Sequence, residues 1–432
     1  MNAILGRVTT PTLSAEPVCP GAASGSERTA PASNPIPSPA CRAVQRPFDS
    51  IPRGTWDALA GANPLATPFS SWAFQRAWWD AYGANAHDET LVVLAVDGAG
   101  RPVEGAEPIG IVPLMHRHEV EPGDQADHTR MRLAAGAELT SVPGSATAYF
   151  FGGSYHADYA TILAAPADLE TVADALVDYL VGDGGPAWDV VDLRRLRCGD
   201  PAAPAWDAVD LRRLRCGDPA AEALAAAFGR REAAAGWTLN LEREDVCPVV
   251  DLPVGSSFED FLDTLGKKER HEIRRKVRRA EAVGPITLDR SPDPLADLPA
   301  FIELHQKRWG QDGLFPDTAG GAMSRTFFRR LFELLGPDGP LILSFVAVGG
   351  RRVGAGVHLE DGASLLYYNA GLDPDARELS PGVLMVASYV QAALAGGFRR
   401  MDFLRGDEPY KYEWGARDEP IQRLLVRRSV GR

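Results

Sequence analysis

The chain has 432 residues, enough for two domains of ordinary size, each with its own core. Hydrophobic residues make up 45% and charged residues 24%, the balance of a globular protein. A net charge of −13 argues against coating nucleic acid or a general attraction to anionic membranes, while leaving room for a local basic groove. The five cysteines show no CxxC pair and no metal-ligand spacing, so a reduced compartment and no metal are expected. No run approaches about 18 apolar residues, and the N-terminus lacks the apolar region of a signal peptide; a cytoplasmic location follows as the expectation.

Residues 1–50 are dense in Pro, Ala and Ser and are predicted to be disordered, either a regulatory tail or a dispensable extension. A first domain is expected over 51–240. Trp56, Phe69, Trp72, Phe74, Trp78, Trp79 and Tyr82 crowd its start, most of them on a predicted helix over 71–82. Such a cluster reads as a core helix or, alternatively, as a stacking surface for a sugar or base. Strands are predicted over 91–96 and 109–115. The stretch 149–163 contains Asp158-Tyr159. Asp158 is a candidate to orient or deprotonate an acceptor amine or hydroxyl, or else caps a turn; the neighbouring His156 reads as structural.

Residues 186–203 recur almost verbatim as 204–221, with Val190 and Ala208 the one difference. Two units do not make a solenoid, so one copy is expected to pair in a sheet and the other to loop out. An Ala-rich helix over 222–237 then leads to a strand over 247–252, the start of a second domain (241–432). Between Lys267 and Glu281 lie eight Lys/Arg and three acidic residues. Within the stretch 258–280, Lys267, Arg270, Arg274 and Arg278 share one helical face. That face is either a docking site for a polyanion, transfer RNA among the options, or a solvated surface of ion pairs. The helix over 301–309 carries His305, a candidate general base or a cation at a helix C-terminus.

Strands are predicted over 341–348, 352–359 and 365–369. The Gly-rich run 351–356 (RRVGAG) follows a Gly-Gly turn and precedes no helix, so it is not read as a phosphate loop. After the third strand come a loop, a helix capped by Ser380 with Pro381 at its first position, a strand over 400–404, and a polar loop reaching Lys411. The loop over 373–382 would present backbone N–H groups and a helix N-terminus together, an anion site.

This order of elements resembles the acyl-donor half of a GNAT-type acyltransferase. Arg377 to Gly382 partly matches the loop pattern Arg/Gln-x-x-Gly-x-Gly/Ala. The runs Asp402 to Gly406 and Tyr410 to Trp414, with Thr67 to Ser70 and Trp78-Trp79, resemble the CelD-like and FemAB-related branch, as does the Arg-rich stretch 267–279. The resemblance implies an α/β (α+β) fold of two tandem GNAT-like domains, each a mixed, largely antiparallel sheet flanked by helices. It implies acyl-CoA or acetyl-CoA as co-substrate, with aminoacyl-tRNA as the variant donor and a tRNA contact through 267–279. The acceptor implied is a cell-envelope or exopolysaccharide precursor. On that template the backbone of Tyr368, Asn369 and Ala370 holds the donor carbonyl. Arg377, Ser380 and Gly382, joined by Arg270 and Arg274, hold its phosphates. Lys411 stabilises the tetrahedral intermediate, and Glu408 orients Lys411 or acts as base. The alternative is a catalytically inactive GNAT-like binding module in a polysaccharide-synthesis complex.

Overall fold

The computed structural model describes residues 41–117, 148–153, 156–181 and 208–428. Its strands, in chain order, are β1 Cys41–Gln45, β2 Ala86–Asp88, β3 Leu91–Ala95, β4 Gly110–Val112, β5 Leu114–Arg117, β6 Ala148–Phe151, β7 Leu163–Ala164 and β8 Ala208–Arg215. They continue with β9 Trp237–Asp251, β10 Ile286–Arg290, β11 Leu341–Val348, β12 Arg351–Glu360, β13 Ser364–Leu372, β14 Arg400–Asp402 and β15 Arg417–Arg428. Eleven form one sheet in the order β10-β11-β12-β13-β14-β9-β15-β8-β6-β5-β2, and β1-β3-β4-β7 form a smaller one. The mixed α/β character and the flanking helices are as expected. The long antiparallel pair β9–β15 joins the halves: β15, the last described strand, also pairs with β8. β9 runs through residue 240.

Several local features follow from the residues present. Pro113, which has no N–H to donate, separates β4 from β5, and the two strands belong to different sheets, where the sequence suggested a single strand. Phe74 and Trp78 are fully buried on the helix Trp72–Tyr82, whose N-cap Ser71 accepts from Phe74 N; the aromatic cluster is core. Phe74 meets Phe327 of the helix Ala319–Leu335 edge-on at 5.2 Å. This contact ties the N-terminal half to the face of the main sheet that also carries the helix Pro294–Trp309. The opposite face is covered by the helices Lys267–Glu281 and Pro381–Ala395.

One expectation is corrected. Cys41–Gln45, placed in the disordered tail, pairs antiparallel with Leu91–Ala95; Ala43 reaches the core, and the buried β3 supplies the ladder that composition alone does not show. Residues 1–40 lie outside the described residues. Of the duplicated pair, the second copy provides β8, and the first lies outside the described residues.

Candidate active site

Among the described strands, parallel pairing occurs in two places, β6–β8 and β13–β14. The second is the important one. It lasts three residues, ending at Leu366↔Asp402. The segment after β14 stays with β9, since Phe403 N bonds Pro248 O and Gly406 N bonds Val246 O. β13 meanwhile runs on to Leu372 beside β12, with a bulge that leaves Tyr368 unmatched in the register. The two strands therefore diverge beyond Leu366. Along Tyr368, Asn369 and Ala370, β13 has no strand neighbour on the open side.

At the vertex of this opening Asp402 is buried. It accepts from Tyr159 Oη at 2.7 Å and from Leu404 N at 2.7 Å, and burial pushes its carboxyl up to about 6. Beside it Asp158 pairs with Arg405 Nε at 3.2 Å. Two successive residues of the N-terminal half thus clasp the last residue of β14 and a residue of the turn that follows it. Cys247, fully buried nearby, has its thiol pushed up by the same burial.

Lys411 does not face the opening with a free charge. It lies in the short helix Pro409–Tyr412 and is 3% exposed. Its Nζ donates to the carbonyl oxygens of Leu404 and Arg405 at 3.0 Å and of Gly406 at 2.9 Å, and lies 2.9 Å from Glu408. An ammonium has three protons, and three carbonyls take them. The geometry makes Lys411 the clamp of a turn in which Leu404 (φ 56°) and Gly406 (φ 110°) both have left-handed backbone, and leaves no proton for an oxyanion. Glu408 stays half-exposed as its partner.

The imidazoles are also withdrawn. His305 is 2% exposed, its Nδ1 unpartnered, with Gly371 backed against its main chain; burial, then Arg308, lowers it to about 4. It is neutral at pH 7 and cut off from solvent, which removes the basis for a general base in contact with substrate. His156 is lowered to about 3 by burial, stacks on Phe327, and meets Tyr82 Oη at 2.6 Å. Tyr368 Oη donates to the His156 carbonyl at 2.9 Å, so this side chain bridges the halves. Asn369 Oδ1 is buried without a partner, and Ala370 O accepts from Trp309 Nε1 at 3.4 Å.

The helix Pro381–Ala395 begins at Ser380, which has left-handed backbone (φ 57°) and makes no capping bond with its own side chain. Its Oγ instead accepts from Arg279 Nη2 at 2.7 Å. No acidic residue occupies the first turn, and Gly382 is half-buried there. Asp373, the N-cap of the 3-10 helix Pro374–Leu379, accepts from Asp375 N and pairs with Arg351 at 2.7 Å, while Arg377 is exposed. Arg270 and Arg274 are turned away from this place. Both pair with Asp263, and Arg274 also with Glu259, on the preceding short helix Phe258–Asp263. Arg279, on the other flank of the same basic helix, is the residue that sequence reasoning missed. Tyr159, Asp402 and Arg405 lie in runs that the sequence marks, but only the fold brings them together.

Among the described residues no group of three or more His, Cys, Asp or Glu is arranged to hold a metal, and no helix is long and apolar enough to cross a membrane.

Residues 267–412 match the family model described as an acetyltransferase (GNAT) domain. That stretch holds Arg279, β13, Ser380 and Lys411. No curated protein matches the sequence. Among solved structures, FemX is similar over 86% of this chain and 96% of its own, with TM-score 0.50 and 13% identity. A conserved protein of unknown function from Bacteroides thetaiotaomicron matches over 88% and 98%, with TM-score 0.48 and 12% identity. A tandem GNAT protein from the clavulanic acid biosynthesis pathway matches over 89% and 98%, with TM-score 0.39 and 11% identity. The 267–412 stretch is thus similar to an acetyltransferase (GNAT) domain, and the fold of the chain is similar to that of FemX.

Proposed function

We propose that the protein is an N-acyltransferase that takes its acyl group from an acyl-CoA thioester, with aminoacyl-tRNA as the variant donor. The observation that carries this is the divergence of β13 from β14 beyond Leu366↔Asp402, with β13 leading on to a helix N-terminus whose N-cap Ser380 is held by Arg279. On this reading the N-terminus of Pro381–Ala395, Ser380 Oγ, the Gly382 amide and Arg279 take the donor's phosphates. The unpaired edge of β13 from Tyr368 to Ala370 orders the acyl arm, its N–H groups meeting the carbonyl oxygen as charge develops. In the transfer the amine attacks the thioester carbon, a C–N bond forms, the C–S bond breaks and the thiolate leaves. The amine's proton goes to a carboxylate beside the opening, Asp158 or Glu408 being the two available. The acceptor approaches from the side built by residues 156–160; the sequence resemblance makes it a cell-envelope or exopolysaccharide precursor.

The test is thiol release from acetyl-CoA with candidate amine acceptors, the parent chain against Arg279→Glu. Turnover that collapses in the variant supports the reading. A second reading, binding without turnover, draws on one observation: both imidazoles at the opening are buried and neutral, and Lys411 is saturated. Thermal stabilisation by CoA with no thiol release from any acceptor would decide for that reading.

A further inference from the structure

The helix Pro294–Trp309 ends over the opening between β13 and β14. A Cβ on Gly371 would lie 2.3 Å from His305 N, so the bare glycine lets this helix rest directly on β13. Its last residue, Trp309, reaches the open side of that strand. Asp373 N bonds Val353 O, and bonded pairs alternate along an antiparallel ladder. Gly371 and Asn369 therefore bond β12, while the N–H and carbonyl of Ala370 face away from it. Trp309 Nε1 donates to that carbonyl, and the indole stays 43% exposed.

Arg308 is exposed, with its guanidinium carbon 4.5 Å from the centre of the Trp309 ring. It has no carboxylate partner among the described residues. The cations around it are engaged: Lys307 with Glu303, Arg405 with Asp158, Lys411 with three carbonyls. A cation laid on an aromatic face is ordered without being neutralised. Its charge acts on both faces of the sheet. Burial lowers His305 on one face, and Arg308 adds to that effect. On the other face burial raises the hydroxyls of Tyr367 and Tyr410, and Arg308 opposes it. The guanidinium thus stands at the opening, between β13 and the turn after β14. Glu408 in that turn also acts on Tyr410, raising it, so an acid and an arginine converge there from the two sides of the gap.

On the transfer reading the donor's phosphates go to Ser380 and Arg279, and an acetyl group is uncharged. An anion beside Tyr367 to Ala370 then comes with the acceptor. A guanidinium offers paired N–H donors to a carboxylate or a phosphate. We propose that Arg308, ordered by Trp309, binds an anionic group of the acceptor, which is therefore an amine that also carries a carboxylate or a phosphate. This rests on the transfer reading for the acceptor's place, and the test separates the two. Thiol release from acetyl-CoA is followed with two matched pairs of amines: glucosamine 6-phosphate against glucosamine, and β-alanine against its amide. The parent chain is compared with Arg308→Gln and Arg308→Lys, and calorimetry reads binding of the same amines without turnover. Expected is a kcat/KM about 10- to 100-fold higher for the anionic member of at least one pair, mostly lost in Arg308→Gln and partly kept in Arg308→Lys. KM for acetyl-CoA should not change. If no amine is turned over, the transfer reading fails alone, and calorimetric binding of an anionic amine that Arg308→Gln abolishes upholds the site. Equal rates and equal binding for charged and neutral members would overturn the proposal. So would no binding of any anionic member, equal losses for both members in Arg308→Gln, a raised KM for acetyl-CoA, or an Arg308-dependent preference for succinyl-CoA over acetyl-CoA.

Discussion

Replacing Lys411 by Met separates a structural lysine from a catalytic one. The side-chain volume is nearly kept, so no large cavity opens, but the donors to Leu404 O, Arg405 O and Gly406 O vanish together. A buried acceptor left without its donor costs about 1–3 kcal/mol, and the apolar replacement avoids burying an ammonium, which offsets part of the loss. Glu408 is half-exposed and returns to water at little expense. The net expectation is a loss of about 3–4 kcal/mol. In a domain of this size that corresponds to a melting temperature lower by roughly 6–15 °C. The assay is thermal unfolding of Lys411→Met beside Glu408→Gln, the latter expected to move by about 2 °C or less. Thiol release should be compared well below both transitions, where Lys411→Met keeps activity in proportion to its folded fraction. If its melting temperature matches the parent while thiol release is abolished, the clamp argument is refuted and Lys411 acts on the reacting atoms.

Three further outcomes follow from the same geometry. Ser380→Asp puts a carboxylate at the N-terminus of Pro381–Ala395 and should raise KM for acetyl-CoA at least tenfold, about 1.4 kcal/mol, with kcat little changed; an unchanged KM would place the donor phosphates elsewhere. Deleting residues 186–203 should leave a folded chain with the parent's melting temperature, because β8 comes from the second copy; loss of soluble protein would contradict this. His156 and His305 sit at about 3 and about 4 in the fold, below the ordinary 6.5 of histidine, so the unfolded chain binds more protons and their stabilisation, complete above pH 6.5, is lost as pH falls toward 4 and then 3. Asp402, raised to about 6, slopes the other way. Its contribution is full below about 3.8 and gone above 6, worth at most about 3 kcal/mol, so parent stability relative to Asp402→Asn should fall as pH rises from 4 to 6.5 in urea titrations; a flat difference would mean that the carboxyl is not raised.

How far the sequence carried depended on whether a feature was local. The helix Pro381–Ala395, its Pro at the first position and its Gly396-Gly397 end are written in consecutive residues, and the structure has them. Lys411 stands out in the sequence as a lysine in a polar run, but its role rests on three carbonyls converging. That requires the left-handed turn at Leu404, which no propensity of leucine announces. The divergence of β13 from β14 is likewise non-local: one strand is nine residues long and the other three, and each obeys a different neighbour after Leu366.

The basic helix shows the most instructive failure, because the pattern was real but two of its four cations are taken up by the helix before it. Read as one stretch, residues 258–280 put Lys267, Arg270, Arg274 and Arg278 together on one helical face. The chain breaks at residues 264–266, between Phe258–Asp263 and a second helix for which Gly266 is the N-cap. The break lets the first helix fold back alongside the second, where Glu259 and Asp263 take Arg270 and Arg274. Arg279 then falls on the flank that meets Ser380. A glycine at that joint is sufficient warning, since a residue without a side chain in the middle of a long helix weakens it and more often marks a boundary. Phasing the charges from Lys267 onward, on Ile273 and Ala280 alone, already places Arg279 apart from Arg270 and Arg274. It also leaves His271, Arg275 and Arg278 as the outermost residues, and all three are exposed.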